Sequence, residues 1–189
     1  VSILGPAASE KTELAATPAA KIEAENLSAD SRQVYRGMTI GTGKDLADYR
    51  QNGIDVPHHL IDICEPGTKY NLFQYQQDFH QVYNDITSRG VIPILCGGTG
   101  LYIESVLKGY SLSPVPQNQT LRNSLAEKSL KELSDILTQL KKQNHSTMHN
   151  CTDVDTAQHA IRAIEIETYT LEHTNENRTL PAIKSVVIG

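Results

Sequence analysis

No apolar run in the chain approaches the roughly 18 residues that a helix needs to cross a bilayer, so a helical membrane protein is excluded. A mean hydropathy of -0.36 agrees. Cysteine is scarce: Cys64, Cys96 and Cys151 are too few and too scattered for a disulfide framework, and a cytoplasmic, reducing setting is the expectation. The opening residues 1–4 lack the basic flank and apolar length of a signal peptide. Positive charge is not in excess either. With 17 Lys+Arg against 22 Asp+Glu, a net charge of -5 argues against a broad, non-specific grip on nucleic acid, while leaving room for a local basic groove. What is present is 189 residues, 39% of them hydrophobic, enough for one domain with a real core and a small insertion.

Short apolar runs alternate with helical patterns, which predicts an α/β fold with a mostly parallel sheet flanked by helices. The expected strands cover residues 2–4, 26–29, 60–63, 91–96 and 185–188. The clearest helix spans residues 71–89, where Leu72, Tyr75, Phe79, Val82, Tyr83 and Ile86 share a face between an Asn71 N-cap and a Gly90 terminator. A second helix is expected from Thr99 to Lys108, ended by Gly109. Residues 111–150 change character. Pro114 and Pro116 open them, and leucines then recur at helical spacing among polar residues, as in an amphipathic helical insertion. Residues 155–169 return to a helix, so the expected core is 1–110 with 151–189. Both ends of the chain read as strands. A parallel strand normally feeds a crossover helix, so the protein is expected to continue past Gly189.

The chemistry begins at Gly5-Pro6-Ala7-Ala8-Ser9-Glu10-Lys11-Thr12, between a strand and a helix. It fits G-x-x-x-x-G-K-[ST] at every fixed place but one, where Glu10 replaces glycine. In such a loop backbone N–H groups cradle phosphate oxygens, the lysine neutralises charge, and the hydroxyl holds Mg²⁺. A carboxylate at position 10 sets like charge beside phosphate, and Pro18 is expected to kink or end the following helix. The pair His145 and His149, with Cys151 nearby, superficially suggests a metal site. Its polar setting, with no carboxylate partner at the usual spacing, makes it a solvated connection. Lys108, Lys128, Lys131, Lys141 and Lys142 form either a solvated face or a basic strip.

Four segments then occur in order: the phosphate loop, Ser28-Ala29-Asp30-Ser31-Arg32-Gln33-Val34-Tyr35-Arg36-Gly37 with Ile40-Gly41-Thr42, Val56-Pro57-His58-His59-Leu60-Ile61-Asp62, and Pro93-Ile94-Leu95-Cys96-Gly97-Gly98-Thr99-Gly100-Leu101-Tyr102. Together they resemble the tRNA dimethylallyltransferase (tRNA isopentenyltransferase) family over nearly the whole chain, and are far more specific than a phosphate loop alone. The resemblance implies a P-loop NTPase-like fold. It also implies transfer of a dimethylallyl group from dimethylallyl diphosphate to N6 of an adenine in the tRNA anticodon loop, by a monomer without membrane contact.

Carried over by position, Asp30 becomes the general base and Thr99 a catalytic residue at the adenine. Gly5 to Thr12 bind the diphosphate or a nucleotide such as ATP, with Thr12 on Mg²⁺. Asp30, Ser31, Arg32, Gln33, Thr99, Arg122 and the run Gln158, His159, Ala160, Ile161, Arg162 become tRNA contacts, and the 111–150 insertion is expected to touch tRNA. These roles make chemical sense, because an adenine amine is a poor nucleophile and a leaving diphosphate needs cations and N–H donors. The base must also leave its stack to be alkylated. The chain departs from the family at Glu10, Pro18 and His159, where arginine is usual, and in lacking the arginine-bearing helices that follow the last strand. A P-loop kinase of a nucleotide or small metabolite and a degenerate or truncated tRNA-binding module remain the alternatives.

Overall fold

The computed structural model describes residues 1–5, 10–44, 46–110, 112, 115–144, 154–173 and 180–189. The expected connection around His145, His149 and Cys151, and residues 6–9 of the phosphate loop, lie outside the described residues. Two units are present, one formed by Val1–Tyr110 with Thr179–Gly189 and the other by Ser111–Arg178.

In the first unit a five-stranded sheet is parallel throughout. Its strands are β1 (Ser2–Leu4), β2 (Glu25–Ser28), β5 (His58–His59), β6 (Pro93–Gly97) and β7 (Val187–Ile188), in the order β5-β2-β6-β1-β7. Helices cover both faces, so β1 and β6 are largely apolar, while β2 buries Glu25, Asn26 and Ser28 beside Leu27. On one face α1 (Lys11–Ile22) packs through Ala15, Ala16 and Ala19 against Ile3, Ile94 and Cys96. These small side chains let the helix lie close to the sheet. On the other face α2 (Leu72–Ser88) and α3 (Gly100–Leu107) bury Tyr75, Phe79, Ile86 and Ile103 with Leu27 and Leu95. A short 3₁₀ turn (Leu46–Tyr49) and the small hairpin of β3 (Arg50–Gln51) and β4 (Ile54–Asp55) complete the α1 side.

Local signals predict the helix ends well. Asn71 caps α2 in a full capping box with Gln74, and Gly90 ends it at φ 72°. One expected strand fails, and of the two outcomes expected at Pro18 an ended helix is not found. The strand expected over residues 60–63 pairs instead at His58–His59. Leu60 and Asp62 take φ values of 65° and 55°, which no strand residue adopts, and the chain turns to donate from Asp62 N–H to the Gln33 carbonyl. Pro18 does not end α1, which runs on to Ile22. Both Pro18 and Leu14, whose carbonyl loses its helical partner, are exposed, so water can take that place.

The second unit is helical, with α4 (Gln119–Leu125), α5 (Leu130–Gln143) and α6 (Ala157–Glu172) around Leu125, Leu133, Leu137, Ala160 and Ile164. The α6 helix therefore groups with the helical residues after 110 and not, as expected, with the sheet core. Its Ala160 and Ile164 have their apolar partners on α5. Among the described residues, no helix is long and apolar enough to cross a membrane.

Candidate active site

The C-terminal ends of β2 and β6 meet closely, and one residue makes this possible. A Cβ on Gly97 would fall 2.3 Å from the Ala29 carbonyl oxygen, so only glycine fits. The Thr99 N–H then donates to that same Ala29 oxygen at 3.0 Å. Two residues on, the Ser31 N–H donates to Thr99 Oγ1 at 2.9 Å, and the Thr99 hydroxyl donates to Ser31 Oγ at 3.3 Å. Asp30 and Thr99, separated by 69 positions in the numbering, are thereby placed side by side at the mouth of the sheet, where open α/β sheets bind ligands.

Asp30 Oδ1 accepts the Arg32 N–H at 2.9 Å and lies 3.9 Å from Arg32 Nε. Its carboxylate opens into a cavity of about 420 Å³ shared with Glu10, Lys11, Thr12 and Arg32. The described part of the phosphate loop and Asp30 thus border one space. Glu10 occupies a left-handed conformation, φ 49° and ψ 28°, which glycine accepts freely and other residues resist. The motif glycine that Glu10 replaces answers a backbone need that persists here. Beneath the cavity, burial pushes the Cys96 thiol up to about 11, with Lys11 nearby pulling the other way. That thiol stays protonated and donates to the Lys11 carbonyl at 3.4 Å.

Gln33 is engaged at both ends, accepting from the Ser28 hydroxyl at 2.7 Å and donating to the Gly43 carbonyl at 2.8 Å. It braces the cavity wall. The sequence reading missed Thr42, Asp48, Tyr49 and Cys96, which also line the cavity. Tyr49 stacks on His58 at 4.3 Å between ring centroids. Only the clustering of Gly41 and Gly43 hinted that this loop approaches a ligand.

In the helical unit two of the expected tRNA contacts, Arg122 and Arg162, share one carboxylate. Arg122 donates from Nε and a terminal nitrogen to Glu165 at 3.0 and 2.8 Å. Arg162 donates to the same carboxylate and, at 3.0 Å, to the Val115 carbonyl. The Asn118 N–H adds a third donor to Glu165 at 2.5 Å. Burial pushes the Glu165 carboxyl up, but the hydrogen bonds from Arg122, Asn118 and Arg162 outweigh it and hold the group at about 2. Both arginines are thus committed to an interior carboxylate. Ala160 is fully buried, so its side chain cannot meet a substrate, whereas Gln158 and His159 are exposed on the first turn of α6. Lys141 is buried as well and belongs to no solvated strip, while Lys108 pairs with Glu104. Among the described residues no group of three or more His, Cys, Asp or Glu is placed to hold a metal ion.

The sequence model of the IPP transferase family matches residues 33–188. The chain belongs to that family. A tRNA dimethylallyltransferase 2 of Bacteroides fragilis is 58% identical over 189 residues, which is 100% of this chain and 60% of that protein. This IPP transferase chain therefore spans about 60% of the length of the curated relatives it matches. Among solved structures, the full-length tRNA isopentenylpyrophosphate transferase of Bacillus halodurans is 32% identical, with a TM-score of 0.56 over 89% of this chain and 55% of that one. A eukaryotic dimethylallyltransferase acting on tRNA is 21% identical, with a TM-score of 0.70 over 98% of this chain and 46% of that one, and shares the fold. The P-loop NTPase-like reading of the parallel sheet agrees with these neighbours.

Proposed function

We propose that the complete protein transfers a dimethylallyl group from dimethylallyl diphosphate to N6 of an adenine in the tRNA anticodon loop. The observation that carries this reading is the single cavity bordered by Asp30 on one side and by Lys11 and Thr12 on another. Group transfer from a diphosphate needs a cationic seat for the leaving group and a base for the nucleophile. Both must lie within reach of one substrate.

In this reading the adenine N6 attacks C1 of the dimethylallyl group as the C1–O bond to diphosphate breaks. Asp30 takes the proton that N6 sheds, and Lys11 meets the charge left on the diphosphate. The Ser31–Thr99 bridge fixes the strand ends around the adenine, so Thr99 acts through its place at the start of α3. Arg32, on the cavity edge and 61% exposed at its side chain, is the arginine best placed to meet phosphate of either substrate. Gln158 and His159 remain as candidate tRNA contacts on the helical unit.

Magnesium fits this site. Thr12 offers a hard oxygen atom beside open space, the donor type Mg²⁺ prefers when phosphates and water complete its shell. Thr12 would hold it through its hydroxyl. When bound, the ion neutralises charge on the diphosphate.

The test is incubation of the full-length protein with radiolabelled dimethylallyl diphosphate and unmodified tRNA. Label in tRNA, located on an anticodon-loop adenine, is the expected result. Transfer of a phosphoryl group from ATP to a small molecule, with no label in tRNA, would replace the reading with a kinase.

A further inference from the structure

Lys44 follows the Gly41–Gly43 turn, and its side chain is completely buried. A buried ammonium persists only with close partners. Its Nζ donates to the Tyr35 carbonyl and to Asp62 Oδ1, both at 2.6 Å. The first bond closes the loop between Tyr35 and Lys44 at its base. The second anchors that base to the turn after β5.

Asp62 is itself over-determined. It sits at φ 55°, its N–H donates to the Gln33 carbonyl at 3.0 Å, and its carbonyl accepts from Arg36 Nε at 2.9 Å. From one position it therefore grips the 33–44 segment at residues 33, 36 and 44. Inside the loop the Thr42 hydroxyl donates to the Met38 carbonyl at 2.7 Å, and Gln33 holds the Gly43 carbonyl. Gly41, Thr42 and Gly43 border the cavity with Lys11 and Asp30, while Lys44 and Asp62 stand behind them.

We infer that Lys44 and Asp62 are positioning residues that hold the Gly41–Gly43 wall in place against the diphosphate of the substrate. This rests on the function proposed above. The loop tip at Ile40 is left 98% exposed, whereas the Lys44–Asp62 contact pins the loop base directly behind the residues that border the cavity. The pair therefore acts on binding, through the shape of the wall, and leaves the proton transfer at Asp30 untouched.

The test uses the full-length protein and Lys44→Met, which keeps the aliphatic stem and removes the donors. Lys44→Gln, which keeps uncharged N–H donors, and Asp62→Asn serve as milder variants. Three readouts are taken: hydrogen exchange at the amides of residues 41–44, calorimetric titration with inorganic pyrophosphate and Mg²⁺, and kcat and KM for dimethylallyl diphosphate. Lys44→Met should exchange faster at those amides and bind pyrophosphate about tenfold more weakly, the scale of one lost charge-assisted hydrogen bond. KM should rise in parallel while kcat stays within about twofold, and Lys44→Gln should fall between. Parental affinity and protection in Lys44→Met overturn the inference, as does a loss confined to melting temperature or to kcat. Failure of the unmutated protein to bind pyrophosphate overturns the proposed function itself and takes this inference with it.

Discussion

The sheet unit and the helical unit both carry residues whose motif positions point to a substrate, yet the two treat them differently. At the sheet, Asp30, Thr99, Lys11 and Thr12 come from three separate segments and gather at one mouth. In the helical unit, Arg122 and Arg162 turn inward to Glu165, and Ala160 vanishes into the core. The difference follows from geometry. The end of a parallel strand has one exit, so a residue just past it must face the ligand side. A helix surface has no such exit, and a long guanidinium takes whichever carboxylate the packing of its neighbours supplies. We propose that motif transfer is stronger at strand ends than on helix faces.

The hardest blow to that contrast is struck at Asp30. Asp30→Asn keeps the oxygen that accepts the Arg32 N–H, so the turn and the fold should survive. The amide cannot take the N6 proton, and transfer should fall by about 10²–10⁴-fold, the usual contribution of a general base. Pyrophosphate affinity should change little. Single-turnover kinetics in the full-length protein give the rate, and calorimetry gives the affinity. Turnover at the parental rate would remove Asp30 from the reaction and leave the strand-end argument without its main support.

The same geometry explains what was legible in the sequence. The parallel sheet, the α2 and α3 helices with their caps, and the place of Asp30 all follow from local signals such as Asn71, Gly90 and the apolar runs. The missing parts are those decided by long-range partners. Residues 60–63 read as an apolar strand, but the Gln33 and Val34 carbonyls, which accept the N–H groups of Asp62 and Ile63, turn them away. Helix α6 reads as a return to the core, but Leu133 and Leu137 of α5 hold it elsewhere. Glu165 carries no motif at all. Its importance arises from three donors, and two of them, Asn118 at the N-cap and Arg122, stand on α4, which nothing in the spacing of its own helix announces.

Glu165 supplies the next test. Glu165→Gln preserves shape and leaves two guanidiniums facing an amide. Breaking a buried pair costs about 3–5 kcal/mol, but both arginines are partly exposed, so about 2–3 kcal/mol is expected. Hydrogen exchange should show it at α4 and α6 amides of the helical unit. Arg122→Ala should act in the same direction and leave the salt dependence of tRNA affinity unchanged, since its charge is committed to Glu165. A flatter salt slope would restore Arg122 as a phosphate contact. The pH response has a definite sign. Glu165 lies at about 2 in the folded unit against a usual 4.5, so its contribution is complete above 4.5 and is lost as pH falls toward 2. Unfolding of Glu165→Gln should lack that portion of the acid loss.

The smallest expected effect lies back at the sheet, at Glu10. Its left-handed backbone costs a non-glycine residue about 1 kcal/mol, and its side chain is exposed and makes no cap hydrogen bond to offset this. Glycine removes the strain but adds freedom to the unfolded chain, worth about 0.5–1 kcal/mol, so the gain in stability should be close to nil. Affinity is where the change should register. A carboxylate on the cavity edge repels an incoming diphosphate, while solvent and rotation weaken that repulsion well below the roughly 4 kcal/mol of two fixed charges at about 4 Å. Glu10→Gly should therefore bind pyrophosphate with Mg²⁺ about tenfold more tightly, near 1.4 kcal/mol, with no effect on hydrogen exchange in the helical unit. Calorimetric titration of both proteins decides it. Unchanged affinity would mean that Glu10 turns away from the phosphate. Weaker affinity would mean that its carboxylate helps hold the cation, and the loop would then carry an added ligand where the motif has a glycine.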